Sequence, residues 1–115
     1  VRMSGAQRDA VDQAVVDLAE MGVAVGRNRL LADCLLELHA VLSLFRQHGF
    51  ASLREDWLML DAYAGRAVAL ALPDARSVRG MASGVDETGA FLLRDAQAIL
   101  RPYSGGEISL RLDAA

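Results

Sequence analysis

The hydrophobic period of this chain changes at Gly65, and that change limits it to a fold in which helices come first and short strands follow. Before it, Leu31, Leu35, Leu38, Leu42 and Phe45 recur at four- and three-residue steps, the spacing that lines up one face of an α-helix. After it, Val68, Leu70 and Leu72 alternate with Ala67, Ala69 and Ala71. Large side chains then fall on one face of a strand and small ones on the other. The fold class this predicts is α+β.

The long helix opens at Asn28, whose side chain suits an N-cap, and stops at Gly49, which takes a left-handed backbone without strain. Leu30, Cys34, Val41 and Leu44 widen its apolar face, whereas Asp33, Glu37, Ser43 and Gln47 lie elsewhere. That face is expected to be core. Cys34, the single cysteine, reads as a buried thiol, and no disulfide can form within the chain. Ser52 and Glu55 have capping-box spacing and predict a second helix over residues 53–60 that buries Leu53, Trp57 and Leu60. Residues 4–15 are small, polar and weakly patterned, with Val11 and Val15 as apolar anchors. They predict a loop or a marginal helix, followed by a short turn that Asp17 caps and Gly22 ends.

In the second half, Pro73-Asp74 turns the chain into a strand over residues 77–85, and Asp86-Glu87-Thr88-Gly89 has the composition of a hairpin loop with glycine at its left-handed position. Residues 90–94 and 98–101 pair around Asp95-Ala96-Gln97, and residues 107–111 make a last short strand. Five short strands predict a small SH3-like barrel, which needs the helices docked on it to bury enough surface.

Composition removes whole classes of function. All 12 basic residues are arginine, so a lysine nucleophile, a Schiff base and a P-loop lysine are excluded from this chain. A net charge of −3 gives no electrostatic footprint for nucleic acid, and no apolar run approaches the roughly 20 residues of a membrane span. His39 and His48 lack cysteine or carboxylate neighbours at ligand spacing, so no metal site is expected. A chain that begins at Val1, without a basic or apolar leader, reads as cut at its front and cytoplasmic.

From Arg27 to Arg111 the order of features resembles the C-terminal third of bacterial biotin–protein ligases. They are a long helix ending in Phe45-x-x-x-Gly49-Phe50, a helix bearing Trp57, then Asp61, and a closing Gly106-Glu107-Ile108-Ser109-Leu110-Arg111. The resemblance implies that residues 1–64 are the C-terminal part of the ligase catalytic domain and residues 65–115 the SH3-like C-terminal barrel. It also implies an activity for the parent enzyme. ATP activates biotin to biotinyl-5′-adenylate, and biotin passes to a lysine of the biotin carboxyl carrier protein of acetyl-CoA carboxylase. Magnesium is implied too, with no ligands in this chain. The family's Gly-Arg-Gly-Arg-rich loop, Lys-Trp-Pro-Asn-type motif and Gly-Ile-Gly-x-Asn strand are absent, as if Val1 followed that strand. The segment alone is therefore expected to hold no catalytic residue and to act with an upstream catalytic half. Nucleic acid would be a partner only of a parent carrying a helix-turn-helix.

The same resemblance places residues 4–15 where relatives carry a loop that orders over the adenylate, with Val11 and Val15 as its apolar contacts. An ordinary surface loop is the competing reading. Glu107 and Arg111 match positions that turn toward the ATP site. Strand alternation puts 107, 109 and 111 on one face, where Arg111 can hold a phosphate or adenylate oxygen and Glu107 can orient it. An interdomain salt bridge is the alternative. Asp86 reads as a turn residue and Trp57 as core, and Arg76 and Arg79 are either a solvated strand edge or a meeting point for an acidic acceptor. The rival from another class is a non-catalytic SH3-like protein-binding module.

Overall fold

A computed structural model describes residues 1–104 and 109–113. By its internal contacts the chain divides into two compact units, Val1–Leu42 and Ser43–Ala115. Elements run in the order α1 (Gly5–Asp9), α2 (Arg27–His48), a 3-10 turn (Phe50–Ser52), α3 (Arg54–Met59), then β1 (Ala67–Ala71), β2 (Ser77–Val85), β3 (Phe91–Arg94), β4 (Leu100–Tyr103) and β5 (Ser109–Leu112). The expected switch from helix to strand at Gly65 is present, and the class is α+β.

Of the two readings of residues 4–15, the marginal helix is present over their first part as α1. Ser4 caps α1 through a full capping box, its hydroxyl accepting from Gln7 N at 3.1 Å while Gln7 Oε1 accepts from Ser4 N at 2.8 Å. Asp17 does cap the following turn, accepting from Glu20 N at 2.9 Å, and Gly22 ends it at φ 78°. The helix expected from Asn28 begins at Arg27 and stops at Gly49 with φ 72°.

Burial on α2 departs from expectation. Leu35 and Leu42 are each 56% exposed and Phe45 is 50% exposed, and Cys34 is exposed rather than buried. The apolar stripe is present, but nothing among the described residues seals it. Amphipathic spacing reports which face seeks burial, and burial itself needs a facing surface.

The Ser52 to Glu55 capping box does not form either. Ser52 lies in the 3-10 turn with its hydroxyl donating to Gly49 O at 2.9 Å, and α3 starts one residue later than expected, with no side-chain cap at Leu53. Leu53 is half-buried, Trp57 is 38% exposed and Leu60 is 85% exposed. The inward contact belongs instead to Leu58, whose Cδ2 lies 2.7 Å from where a Cβ on Gly84 would sit. Arg54 ties α3 to the sheet by donating from Nε to Val85 O at 2.8 Å, and the Phe50 ring lies under Gly89.

The strands form one antiparallel sheet in the order β4-β3-β2-β1-β5. Among the described residues it is open, with β4 and β5 as its edges, so the closed barrel expected from strand count is not what the pairing shows. Pro102 in β4 has no N–H to give a further neighbour, and proline is tolerated at a sheet edge for that reason. Val68, Leu70, Ala82, Val85, Ala90 and Leu93 form the buried inner layer. Tyr63, Val78, Phe91, Tyr103 and Leu110 pack against its centre. Register shifts between Ala82 and Val85, where Gly84 has φ 82°, and such a bulge bends the strand.

Two hairpins share one device. Asp86 Oδ1 accepts from Thr88 N at 2.9 Å, Thr88 Oγ1 at 2.7 Å and Ala90 N at 3.0 Å. Asp95 Oδ1 accepts from Gln97 N at 3.0 Å and Ile99 N at 2.9 Å, while its Oδ2 takes Arg101 Nε at 2.8 Å. The residue three past each aspartate takes a left-handed backbone, Gly89 at φ 86° and Ala98 at φ 62°. Asp86 is thus a turn residue, as read from Asp-x-x-Gly.

Two outcomes test this account. A Cβ at Gly80 would lie 2.4 Å from Arg94 O and 2.9 Å from Leu93 Cγ, so Gly80→Ala forces backbone apart and should cost about 1–3 kcal/mol in a urea melt. The Thr88 hydroxyl, then the Ala90 and Thr88 amides, hold the Asp86 carboxyl below its usual range, and the Arg101 guanidinium, then the Ile99 and Gln97 amides, do so for Asp95. Because the folded-state values are depressed, their contribution is whole above the unfolded carboxylate value of about 3.9 and is lost as pH falls through the folded one. Asp86→Asn and Asp95→Asn should flatten the loss of urea resistance between about pH 4 and pH 2, and an unaltered acid profile would refute this role.

Candidate functional site

Asp17 organises the segment that carries Val11 and Val15. Its Oδ1 caps the turn at Glu20, and its Oδ2 accepts from Met3 N at 3.0 Å and from Arg8 Nη2 at 3.1 Å. The side chain is 4% exposed. The Met3 and Glu20 amides, followed by the Arg8 and Arg2 charges, hold its carboxyl below the usual range against the opposing effect of burial. A buried carboxylate this well supplied with donors stays ionised and fixes whatever reaches it.

Arg8, from the last turn of α1, also donates from Nη1 to Val15 O at 3.2 Å and pairs with Glu20 at 2.9 Å. Val11 N donates to Arg8 O at 3.2 Å. Val11 and Val15 are half-buried and Val16 is largely exposed. The segment is a folded strap that presents a few small apolar groups. Arg8 and Asp17 were not singled out together in the sequence, because nine residues separate them and no local period links them.

In the second unit, β5 pairs with β1 in the register Ala71↔Ser109, Leu70↔Leu110 and Ala69↔Arg111. Leu110 faces the inner layer and Arg111 is exposed on the outer face, as alternation predicts. Arg111 Nη1 donates to its neighbour Leu110 O at 2.9 Å. Its expected companion Glu107 lies outside the described residues. Ala69 also pairs with Arg79 of β2, so Arg79 and Arg111 flank one alanine on the outer face. Arg79 is paired with Asp113 at 3.3 Å, and Arg76 with Asp74 across its own turn. Beside this row Ala67, Gly80, Met81 and Arg94 line a shallow concavity of ≈ 310 Å³.

Small side chains on the outer face of β1 therefore leave a trough whose margin carries the Arg79 and Arg94 guanidinium groups together with the Asp95 and Asp113 carboxylates, and Arg111 lies across Ala69 from Arg79. Among the described residues no three His, Cys, Asp or Glu side chains gather where a metal ion could be held.

Residues 63–111 match the family model described as the biotin protein ligase C-terminal domain. The chain is 38% identical over 109 residues to the bifunctional ligase/repressor BirA of Escherichia coli K12, and 36% identical to that of Salmonella typhimurium LT2. The chain belongs to the biotin protein ligase family, as its C-terminal part. Both alignments cover 95% of this chain and 33% of the relative, so the chain spans about a third of the length of the proteins it matches. Among solved structures, the biotin protein ligase of Aquifex aeolicus superposes with a TM-score of 0.82 over 98% of this chain and 50% of its own, at 21% identity. The same enzyme in complex with biotin and ATP gives 0.79 over 97% and 46%, at 20% identity. At that identity the likeness establishes the fold. The family match takes in the Gly-Glu-x-Ser-Leu-Arg end, while Trp57 and Asp61 lie before it.

Among the described residues no helix is long and apolar enough to cross a membrane.

Proposed function

We propose that this chain is the closing part of a biotin protein ligase, acting with an upstream catalytic half on biotin, ATP and the biotin carboxyl carrier protein of acetyl-CoA carboxylase in the cytoplasm. What supports this most is the alignment to two ligase/repressors along 95% of the chain. In this reading residues 1–64 complete the catalytic domain and residues 65–115 form its SH3-like C-terminal domain. The uncovered apolar stripe of α2 is the surface that the upstream half would seal, since exposed leucines at helical spacing gain from removal from water.

The reaction joins a biotin carboxylate oxygen to the α-phosphorus of ATP with loss of pyrophosphate. The acceptor lysine amine then attacks the acyl carbon and AMP leaves. A mixed anhydride is exposed to water between these steps, so a ligase needs a cover. Residues 4–15 serve as that cover, with Val11 and Val15 excluding water beside the adenylate. Arg111, on the outer face of β5, holds a phosphate or adenylate oxygen, and Glu107 orients it. The lysine that such a reaction uses on the enzyme side comes from the upstream half, because this chain has none. The chain alone is inactive, and repression of transcription would belong to a parent bearing a DNA-binding domain.

Supplying the upstream catalytic half of a close relative in trans tests the assignment. Biotin transfer to a carrier domain should rise when this chain is added and be nil with this chain alone, whereas a folded chain that binds the half yet leaves transfer unchanged would count against it. In the full-length enzyme Arg111→Ala should raise KM for ATP by roughly tenfold, the size of one lost charge-assisted hydrogen bond, and leave biotin affinity close to normal. An ATP dependence equal to wild type would remove Arg111 from the site.

A further inference from the structure

Asp61 differs from the other aspartates that organise the second unit. Asp74, Asp95 and Asp113 each lie within ion-pair distance of an arginine, and Asp86 is filled by its own turn. Asp61 Oδ1 accepts from Tyr63 N at 3.0 Å, but its Oδ2 is buried and has no hydrogen-bond partner among the described residues. The same residue lines a cavity of ≈ 430 Å³ whose other walls are Trp57, Leu60, Ala62 and Tyr63. Trp57, Leu60 and Asp61 share one side because they stand three and four residues apart where the backbone keeps a helical turn, Leu60 N donating to Trp57 O at 3.1 Å. Tyr63 is anchored, since it packs on the Val68, Ala82 and Leu93 core, whereas Trp57 and Leu60 are exposed.

A carboxylate oxygen kept from water and left without a donor is destabilising, and native structures supply such an atom with a partner. We infer that this cavity is the seat of an arginine side chain carried by the upstream catalytic half. Its guanidinium lies against Trp57 and donates to Asp61 Oδ2 as the exposed Leu60 gives way. This rests on the reading that an upstream half completes the enzyme. The charge of the corner fits a cation. Glu55 and Asp56 stand in the first turn of α3, and Arg54, the basic residue of that helix, is committed to Val85 O at 2.8 Å.

The choice of arginine follows from the walls. A planar guanidinium stacks on an aromatic face while its edge donates to a carboxylate, and its weak hydration makes it the cheaper cation to take out of water, whereas an ammonium is strongly hydrated. The three-carbon stem of arginine also covers apolar surface, which suits a cavity walled by Leu60 and Ala62. The choice of the upstream half follows from time. An oxygen that is always buried needs a donor that is always there, and a segment of the same polypeptide is held nearby at high effective concentration, whereas a visiting carrier protein would leave Asp61 unserved between turnovers. A pair of this kind fixes how two surfaces seat rather than adding much stability by attraction.

The experiment uses the full-length enzyme carrying Leu60→p-benzoylphenylalanine, irradiated with carrier domain present, and the cross-linked peptide is identified by mass spectrometry. The expected product joins Leu60's position to an arginine-bearing peptide of the upstream half. That arginine is then changed to methionine in the wild type and in Asp61→Asn, which keeps the acceptor for Tyr63 N and sets an amide in place of the charged oxygen. Arginine to methionine should lower the unfolding midpoint of the wild type by roughly 3 °C or more, and most of that shift should vanish in Asp61→Asn, because the two groups act as one pair. A cross-link to the carrier domain or to a second copy, or none outside this chain, overturns the assignment, and so do additive shifts. Biotin transfer by the wild type keeps the two readings apart. An active enzyme whose Leu60 position finds no upstream peptide refutes the arginine seat alone, and a full-length wild type that cannot transfer biotin refutes the ligase reading beneath it.

Discussion

Val68 and Leu70 on β1 and Leu93 on β3 are the side chains on which the second unit depends. They are the largest fully buried ones, and they lie on the inner face of a sheet only five strands wide. A layer so thin has little apolar area to spare, so its register must put every large residue inward. That requirement pairs Leu70 with Leu110, and the pairing turns Arg111 outward. The candidate anion contact is thus a consequence of core packing rather than a feature added to it.

Aspartates do much of the local organisation. Asp86 and Asp95 each satisfy amides inside a hairpin, and Asp17 joins the two ends of the strap. Each carboxylate accepts from backbone N–H groups that would otherwise be left unpaired in a tight turn, which both holds the turn and lowers the pKa of the group. Ala98 shows how far this carries. It adopts φ 62° without being glycine, because Asp95 and Arg101 fix the turn on either side.

The helical half has the opposite character. α2 carries a regular apolar stripe that stays exposed among the described residues, and α3 meets the sheet through Leu58 and Arg54 while Met59 and Leu60 stay exposed. In the proposed function this is the face that an upstream half would seal. Amphipathic pattern and burial are then separate facts, one local and one dependent on a partner surface.

Period and turn chemistry were sufficient for the extents of β1 and β2, the hairpins at Asp86 and Asp95, the stop at Gly49 and the outward side of Arg111. Those features arise from alternation and from residues that act within a few positions of themselves. The order of Trp57, Asp61 and the Gly-Glu-x-Ser-Leu-Arg end was enough to point to the biotin protein ligase family. Tertiary structure decided the rest. It left the sheet open among the described residues, exposed Cys34 and Leu60, placed Ser52 in a 3-10 turn instead of at the cap of α3, and brought Arg8 to Asp17 and Glu20. Contacts between residues far apart in sequence depend on which surfaces come together in space, and a one-dimensional pattern holds no record of that.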